Sequence, residues 1–265
     1  MSKPPSKSHG RLSIAASVAP RDLMEDASRV KGAWLAKVIT LFPDVFPGVL
    51  GASLTGKALS DGLWRLEPID LRSFGDGKHR NVDDTPAGGG AGMVLRPDVM
   101  GKAIRFAQNR GSGDAPLIYL SPRGRPFDQA MARRFASGSG VTLIAGRFEG
   151  LDQRVIDHFD IEEVSLGDFV MTGGEIAAQA LIDATVRLLP GVVGNAASLE
   201  DESFSDGKLE HPQYTRPATW EGRDIPSVLM SGNHPEVAKW RRAEAERLTK
   251  ERRPDLWRDF GEDTD

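Results

Sequence analysis

Cysteine is absent from all 265 residues, which excludes disulfides, thiolate metal sites and the oxidised small-domain class. A reducing cytoplasm is the expected compartment. Histidine is scarce: His9, His79, His158, His211 and His234 lie scattered, and no two have the spacing with which one helix holds a catalytic zinc. No stretch approaches the roughly 18 consecutive apolar residues needed to cross a bilayer, so a soluble chain is expected. Nor is positive charge in excess. Against 38 Asp and Glu stand 34 Lys and Arg, and the net charge of −4 argues against non-specific coating of nucleic acid while leaving room for a local basic patch.

What is present has ordinary globular composition, with 39% apolar and 27% charged residues, which rules out disorder throughout and allows one large or two modest domains. Residues 1–33 differ: they are rich in Ser, Pro and Lys, and their one apolar patch, Leu12 to Ala19, is broken by two serines. That core is too weak for a signal peptide, and the segment reads as a disordered extension. From Trp34 apolar runs alternate with helical patterns. "LAKVITLF", "LWRLEPIDL", "PLIYLSPRG", "VTLIAGRFEG" and "IEEVSLGDFVMTGG" read as strands. "PDVMGKAIRFAQNRG", "FDQAMARRFASG", "LDQRVIDHF" and "EIAAQALIDATVRLL" read as helices, the first with Val99, Ala103, Ile104 and Ala107 on one face. The alternation predicts an α/β fold with a parallel sheet. Beyond Pro190 and Gly191 a polar stretch reads as a linker, and the tail from Pro212 reads as a small helical domain centred on "HPEVAKWRRAEAERL".

Two glycine motifs carry little. "GASLTGKA" has Gly51, Gly56 and Lys57 but Ala58 where a phosphate-binding loop needs a hydroxyl, so it reads as a helix start at the surface. "AGGGAGM", Ala87 to Met93, lacks the spacing of a dinucleotide turn and reads as a flexible loop near a ligand. Three other stretches are more informative. "YLSPRG" (Tyr119 to Gly124), "AGRFEG" (Ala145 to Gly150) and "LGDFVMTGG" (Leu166 to Gly174) each begin where a strand ends, the place at which open α/β sheets bind ligands. In the last of them, Thr172 and Glu175 also have the spacing of a capping box.

The motifs "VDDTPAGGGAGM", "IYLSPRGRPFDQA", "AGRFEGLDQRVID", "SLGDFVMTGGEIAAQALID", "LLPGVVGN", "HPQYTRP" and "VLMSGNHPEVAKWR" occur in an order and spacing that resemble the bacterial tRNA (guanine-N1-)-methyltransferases, which modify guanosine 37 beside the anticodon. The resemblance runs from about Trp34 to Arg242. It implies a SPOUT-type α/β domain with a deep trefoil knot over residues 34–194, a linker over 195–211 and a tRNA-binding helical domain over 212–265. It also implies a homodimer with active sites at the subunit interface. S-adenosylmethionine would lie on Tyr119, Leu120, Ser121 and Pro122, on Gly146, Phe148, Glu149 and Gly150, and on Leu166, Gly167, Asp168, Phe169, Val170, Met171, Gly173 and Gly174. A need for magnesium stays open.

Methylating guanine N1 requires removal of its proton while charge grows on O6, so a base and a cationic donor are needed. The resemblance gives the donor role to Arg187, which otherwise reads as an arginine complementing a helix C-terminus. It gives the base role to Glu202, where the family's commonest residue is aspartate, with Asp201 as the neighbouring alternative. Glu210 and Glu149 are the implied guanine-positioning acids. Eight basic against four acidic residues between Lys239 and Arg258 form a local +4 for RNA, or a solvated helix face with internal ion pairs. Trp240 is core or a stacking platform. A related knotted methyltransferase with another RNA target, and a nucleotide-binding regulator built on Gly56 and Lys57, are the rival readings.

Overall fold

A computed structural model describes residues 32–110, 115–194, 202–204 and 206–261. Asp201 and all but the last two residues of the expected N-terminal extension lie outside them. Among the described residues no helix is long and apolar enough to cross a membrane.

Five parallel strands form the central sheet: β1 (Trp34–Thr40), β2 (Trp64–Asp70), β5 (Leu117–Pro126), β6 (Gly140–Ala145) and β7 (Glu162–Ser165), in the order β2-β1-β6-β5-β7. All residues of β1 are buried, as befits a strand covered on both faces. Its side chains alternate between two cores. Ala36 and Val38 join the face packed by α3 (Gln129–Ala136) and α5 (Glu175–Val186), through Met131, Phe135, Ala178, Leu181 and Ile182. Ile39 joins the opposite face, packed by α2 (Pro97–Gln108) and α4 (Gln153–Phe159) through Val99, Ala103, Ile104, Val155 and Ile156. The predicted apolar face of α2 is fully buried there. Lys37 points to the same side, where its ammonium donates to the Ala107 carbonyl at 2.6 Å, and burial lowers its pKa.

Strand β5 is longer than its apolar run. After Leu120, opposite Val164, it bulges outward through residues 121–124 and rejoins β7 with Arg125 opposite the same Val164. Gly124 makes the return possible, because a Cβ there would lie 2.3 Å from the Val164 nitrogen and 2.4 Å from the Glu163 carbonyl carbon. Gly124→Ala is expected to cost about 1–3 kcal/mol, since backbone rather than a movable side chain must yield; a lowered thermal midpoint would register it.

Between the sheet strands, β3 (Asp83–Asp84) and β4 (Val94–Leu95) form a short antiparallel pair that carries the Gly-rich loop at its tip. Helix α1 (Ser53–Ser60) holds Gly56 against the Gly51 backbone, and its Lys57 pairs with Asp61 on the exposed side. The C-terminal region adds an unforeseen hairpin, β8 (Thr219–Trp220) and β9 (Arg223–Asp224), to α6 (Ser227–Met230), α7 (His234–Arg252) and α8 (Pro254–Gly261). Its turn residues, Glu221 and Gly222, both take positive φ, the requirement of a two-residue turn that follows the strand twist. The described part of the linker is folded against α7: the Leu209 amide donates to Thr249 Oγ1 at 2.9 Å, and Lys208 pairs with Glu246.

Candidate active site

The carboxyl ends of β5, β6 and β7 and the three loops that follow them enclose a cleft of about 350 Å³. That size is within the range of small-molecule sites. Tyr119, Leu120, Ser121, Pro122, Gly146, Phe148, Glu149, Gly150, Leu166, Gly167, Phe169, Val170, Met171, Gly173 and Gly174 all line it. Asp168 is exposed and is not among the residues that line it. Arg123, Arg147, Leu151 and Ala177 line the cleft without having been singled out, and Thr172, noted only for its capping-box spacing, lines it too.

The loop glycines have a reason that the sequence alone does not supply. Tyr119 is buried beneath the β6 loop, and a Cβ on Gly146 would approach its ring to 2.6 Å while one on Gly150 would approach its hydroxyl to 2.8 Å. Burial raises the pKa of this phenol, which stays protonated. Gly174 is equally constrained: its amide donates to the Gly146 carbonyl at 2.9 Å, and a Cβ would lie 2.8 Å from the Ala145 Cα. These glycines thus let the cleft walls close on one another as well as on a ligand.

The expected capping box is not formed. Helix α5 begins at Glu175 itself, with Gly174 as its N-cap and no side-chain cap. The Glu175 carboxylate is instead drawn into the protein. Thr40 Oγ1 donates to its Oε1 at 2.8 Å, and the Arg147 guanidinium pairs with its Oε2 at 2.8 Å.

The Gly-rich loop reaches the cleft through Glu149. The Glu149 amide donates to the Met93 carbonyl and the Leu95 amide to the Gly150 carbonyl, each at 2.9 Å. Gly92, at φ +87°, lies so close to the Glu149 carboxylate that a Cβ would come within 2.4 Å of Oε1.

Arg187 and Glu202 face each other rather than this cleft. Arg187 follows the last turn of α5 as its C-cap, and its guanidinium forms a bidentate pair with the Glu202 carboxylate, with Nη1 to Oε2 at 2.7 Å and Nη2 to Oε1. Hydrogen bonding to Glu202 holds the Arg187 pKa above its ordinary value, so the guanidinium is a fixed cation. Helix α5 runs 12 residues from the cleft to this pair, about 18 Å at 1.5 Å per residue. Glu210 also lies outside the cleft lining: its amide donates to Ser203 Oγ at 2.9 Å and its carboxylate accepts from Gln213. Among the described residues no cluster of three or more His, Asp or Glu is arranged to hold a metal ion.

A parallel α/β sheet with its cleft formed by glycine-rich loops at the strand ends defines the class of small-ligand-binding α/β enzymes. Comparison with known proteins is more specific. The family described as tRNA (Guanine-1)-methyltransferase TrmD matches residues 35–259, and the chain belongs to that family. A tRNA (guanine-N(1)-)-methyltransferase of Ruegeria pomeroyi is 70% identical over 234 residues, covering 88% of this chain and 96% of the relative. The protein of that name from Jannaschia sp. is 66% identical, with coverage of 88% and 96%, and that of Rhodopseudomonas palustris is 61% identical, with 84% and 90%.

Proposed function

We propose that this chain transfers a methyl group from S-adenosylmethionine to N1 of guanosine 37 in tRNA, acting in the cytoplasm as a homodimer. The observation that carries this reading is the Arg187 and Glu202 pair set beside the cleft chemistry of a family member. The N1–H and O6 edge of guanine offers a donor next to an acceptor. A carboxylate next to a guanidinium is its complement. Adenine offers the reverse order at the same positions, and a site built for one arrangement leaves buried groups unpaired with the other.

The cleft suits the cofactor. Its loops present backbone amides and carbonyls for adenine and ribose, and Leu120, Leu166 and Met171 give apolar walls. Bound there, S-adenosylmethionine supplies an electrophilic methyl on a sulfonium. Glu202 would accept the N1 proton, Arg187 would donate hydrogen bonds to O6 as charge accumulates, and the freed N1 lone pair would take the methyl, the electron pair of the broken S–CH3 bond staying on sulfur in the departing thioether. Asp201 is the alternative base. Glu149, fixed by Met93 and Gly92, is suited to holding the guanine edge, and Glu210 to orienting the linker that carries Glu202.

The 18 Å between cleft and pair is the argument for the dimer: one chain's α5 end serves the other chain's cleft. Apolar residues on the exposed faces near the cleft and on α5, Phe148, Phe169, Val170 at 84% exposure and Ile176, have the character of a surface awaiting a second copy. The trefoil knot fits the path after β7. That strand is at the sheet edge, yet Gly174 already bonds Gly146 at the end of β6, and α5 packs on the sheet centre, so the intervening loop crosses back past the β5 excursion.

RNA contacts fall to the C-terminal region. Among the described residues Lys239, Arg241 and Arg242 form no ion pair with an acid, whereas Arg247 pairs with Glu244 and Glu251. The ring of Trp240 is partly buried, edge-on to His211 and Tyr214.

The direct test supplies unmodified transcripts with guanosine or adenosine at position 37 and labelled cofactor. N1-methylguanosine is expected from the first, with at least about 10³-fold less product from the second. Equal labelling of both, or labelling elsewhere in the tRNA, would favour a related methyltransferase with another target.

A further inference from the structure

The Arg147 side chain closes a ring of contacts that the reaction itself does not require. Its guanidinium carbon sits 4.5 Å from the centre of the Phe42 ring, Nη1 donates to the Thr172 carbonyl at 3.2 Å, and Nη2 pairs with Glu175. Glu175 accepts from Thr40, whose hydroxyl oxygen in turn accepts the Phe42 amide at 3.0 Å. The ring therefore begins and ends at Phe42. It joins the end of β1, the β6 loop, the 166–174 loop and the first residue of α5. Thr40 is fully buried and Glu175 is 4% exposed, and neither lines the cleft.

A buried carboxylate is retained only with partners, and Glu175 has two, the Thr40 hydroxyl and the Arg147 guanidinium. Gly173 shows how tightly the arginine's position is specified: a Cβ on it would lie 2.2 Å from Arg147 Nε. The 166–174 loop is thus laid against the guanidinium at Gly173 and held by it at Thr172. The geometry points to Glu175 and Thr40 as positioning residues, which act through Arg147 to hold the 166–174 loop in the shape that accepts the cofactor. This rests on the cofactor reading of the cleft given above.

Loss of a hydrogen bond to a charged group corresponds to a ten- to hundredfold change in an equilibrium. Thr40→Val and Glu175→Gln are each expected to raise KM for S-adenosylmethionine by about that factor, with kcat at saturating cofactor within about twofold of the unaltered protein. Thr40→Ser, which keeps the hydroxyl, should restore KM. The double variant Arg147→Met with Glu175→Met replaces the pair by apolar groups of similar length and should recover most of any lost thermal stability while KM remains high. Variants that lose thermal stability but keep KM would reduce the ring to a structural strut and overturn the proposal, as would a fall in kcat at unchanged KM. Failure of the unaltered protein to bind S-adenosylmethionine would instead remove the cofactor reading.

Discussion

Glu202→Gln is expected to lower the single-turnover rate of methyl transfer by about 10²–10⁴-fold, the usual worth of a positioned general base, while S-adenosylmethionine affinity changes little. The substitution keeps the length and shape of the side chain, and its amide oxygen can still accept one of the two Arg187 hydrogen bonds, while the amide NH2 faces the other guanidinium nitrogen and that contact is lost. It also loses a site for the N1 proton. The pairing also implies a rearrangement: guanine must enter between the two side chains and exchange each ion-pair contact for one with its own edge. A bidentate pair limits the cost, because both groups are already oriented in one plane before the base arrives. Rapid-quench kinetics at saturating enzyme read the chemical step. A near-normal rate in Glu202→Gln, together with its collapse in Asp201→Asn, would move the base by one residue.

Mixing two inactive variants should restore activity. Arg187→Ala removes the cation at the far end of α5, and Glu149→Ala removes an acid in the cleft. If each site takes Arg187 from one chain and Glu149 from the other, half of a randomly mixed population is heterodimer, and each heterodimer has one intact site out of two. About a quarter of the unaltered activity is then expected from two preparations that separately show almost none. A site built within one chain predicts no recovery at any mixing ratio. The dimer reading stands or falls on that contrast.

The comparison of Gly174 with Glu175 separates what a sequence carries from what it does not. The pattern Thr-Gly-Gly-Glu before an apolar helix satisfies a local capping rule, yet Glu175 turns inward to Thr40 and Arg147, partners 135 and 28 positions away in the chain. No local rule can anticipate a bond whose worth depends on burial. Asp168 illustrates the converse. Its place within the loop suggested the cleft, but it is exposed and is the one residue from Leu166 to Gly174 that does not line it. The bulge of β5 was likewise hidden, because Ser-Pro-Arg-Gly looks like the end of a strand when the strand it rejoins is not known.

By itself the sequence determined the alternating elements, the buried face of α2, the place of three glycine- or proline-bearing loops at strand ends and the family, because periodicity and ordered motifs are properties of neighbouring residues. The tertiary structure decided which glycines yield to a tyrosine ring or to backbone, that Arg187 and Glu202 bind each other, and that this pair stands a helix length from the cleft. Those facts depend on distances between residues far apart in the chain, and such distances exist only once the sheet order and the packing of α5 have set them.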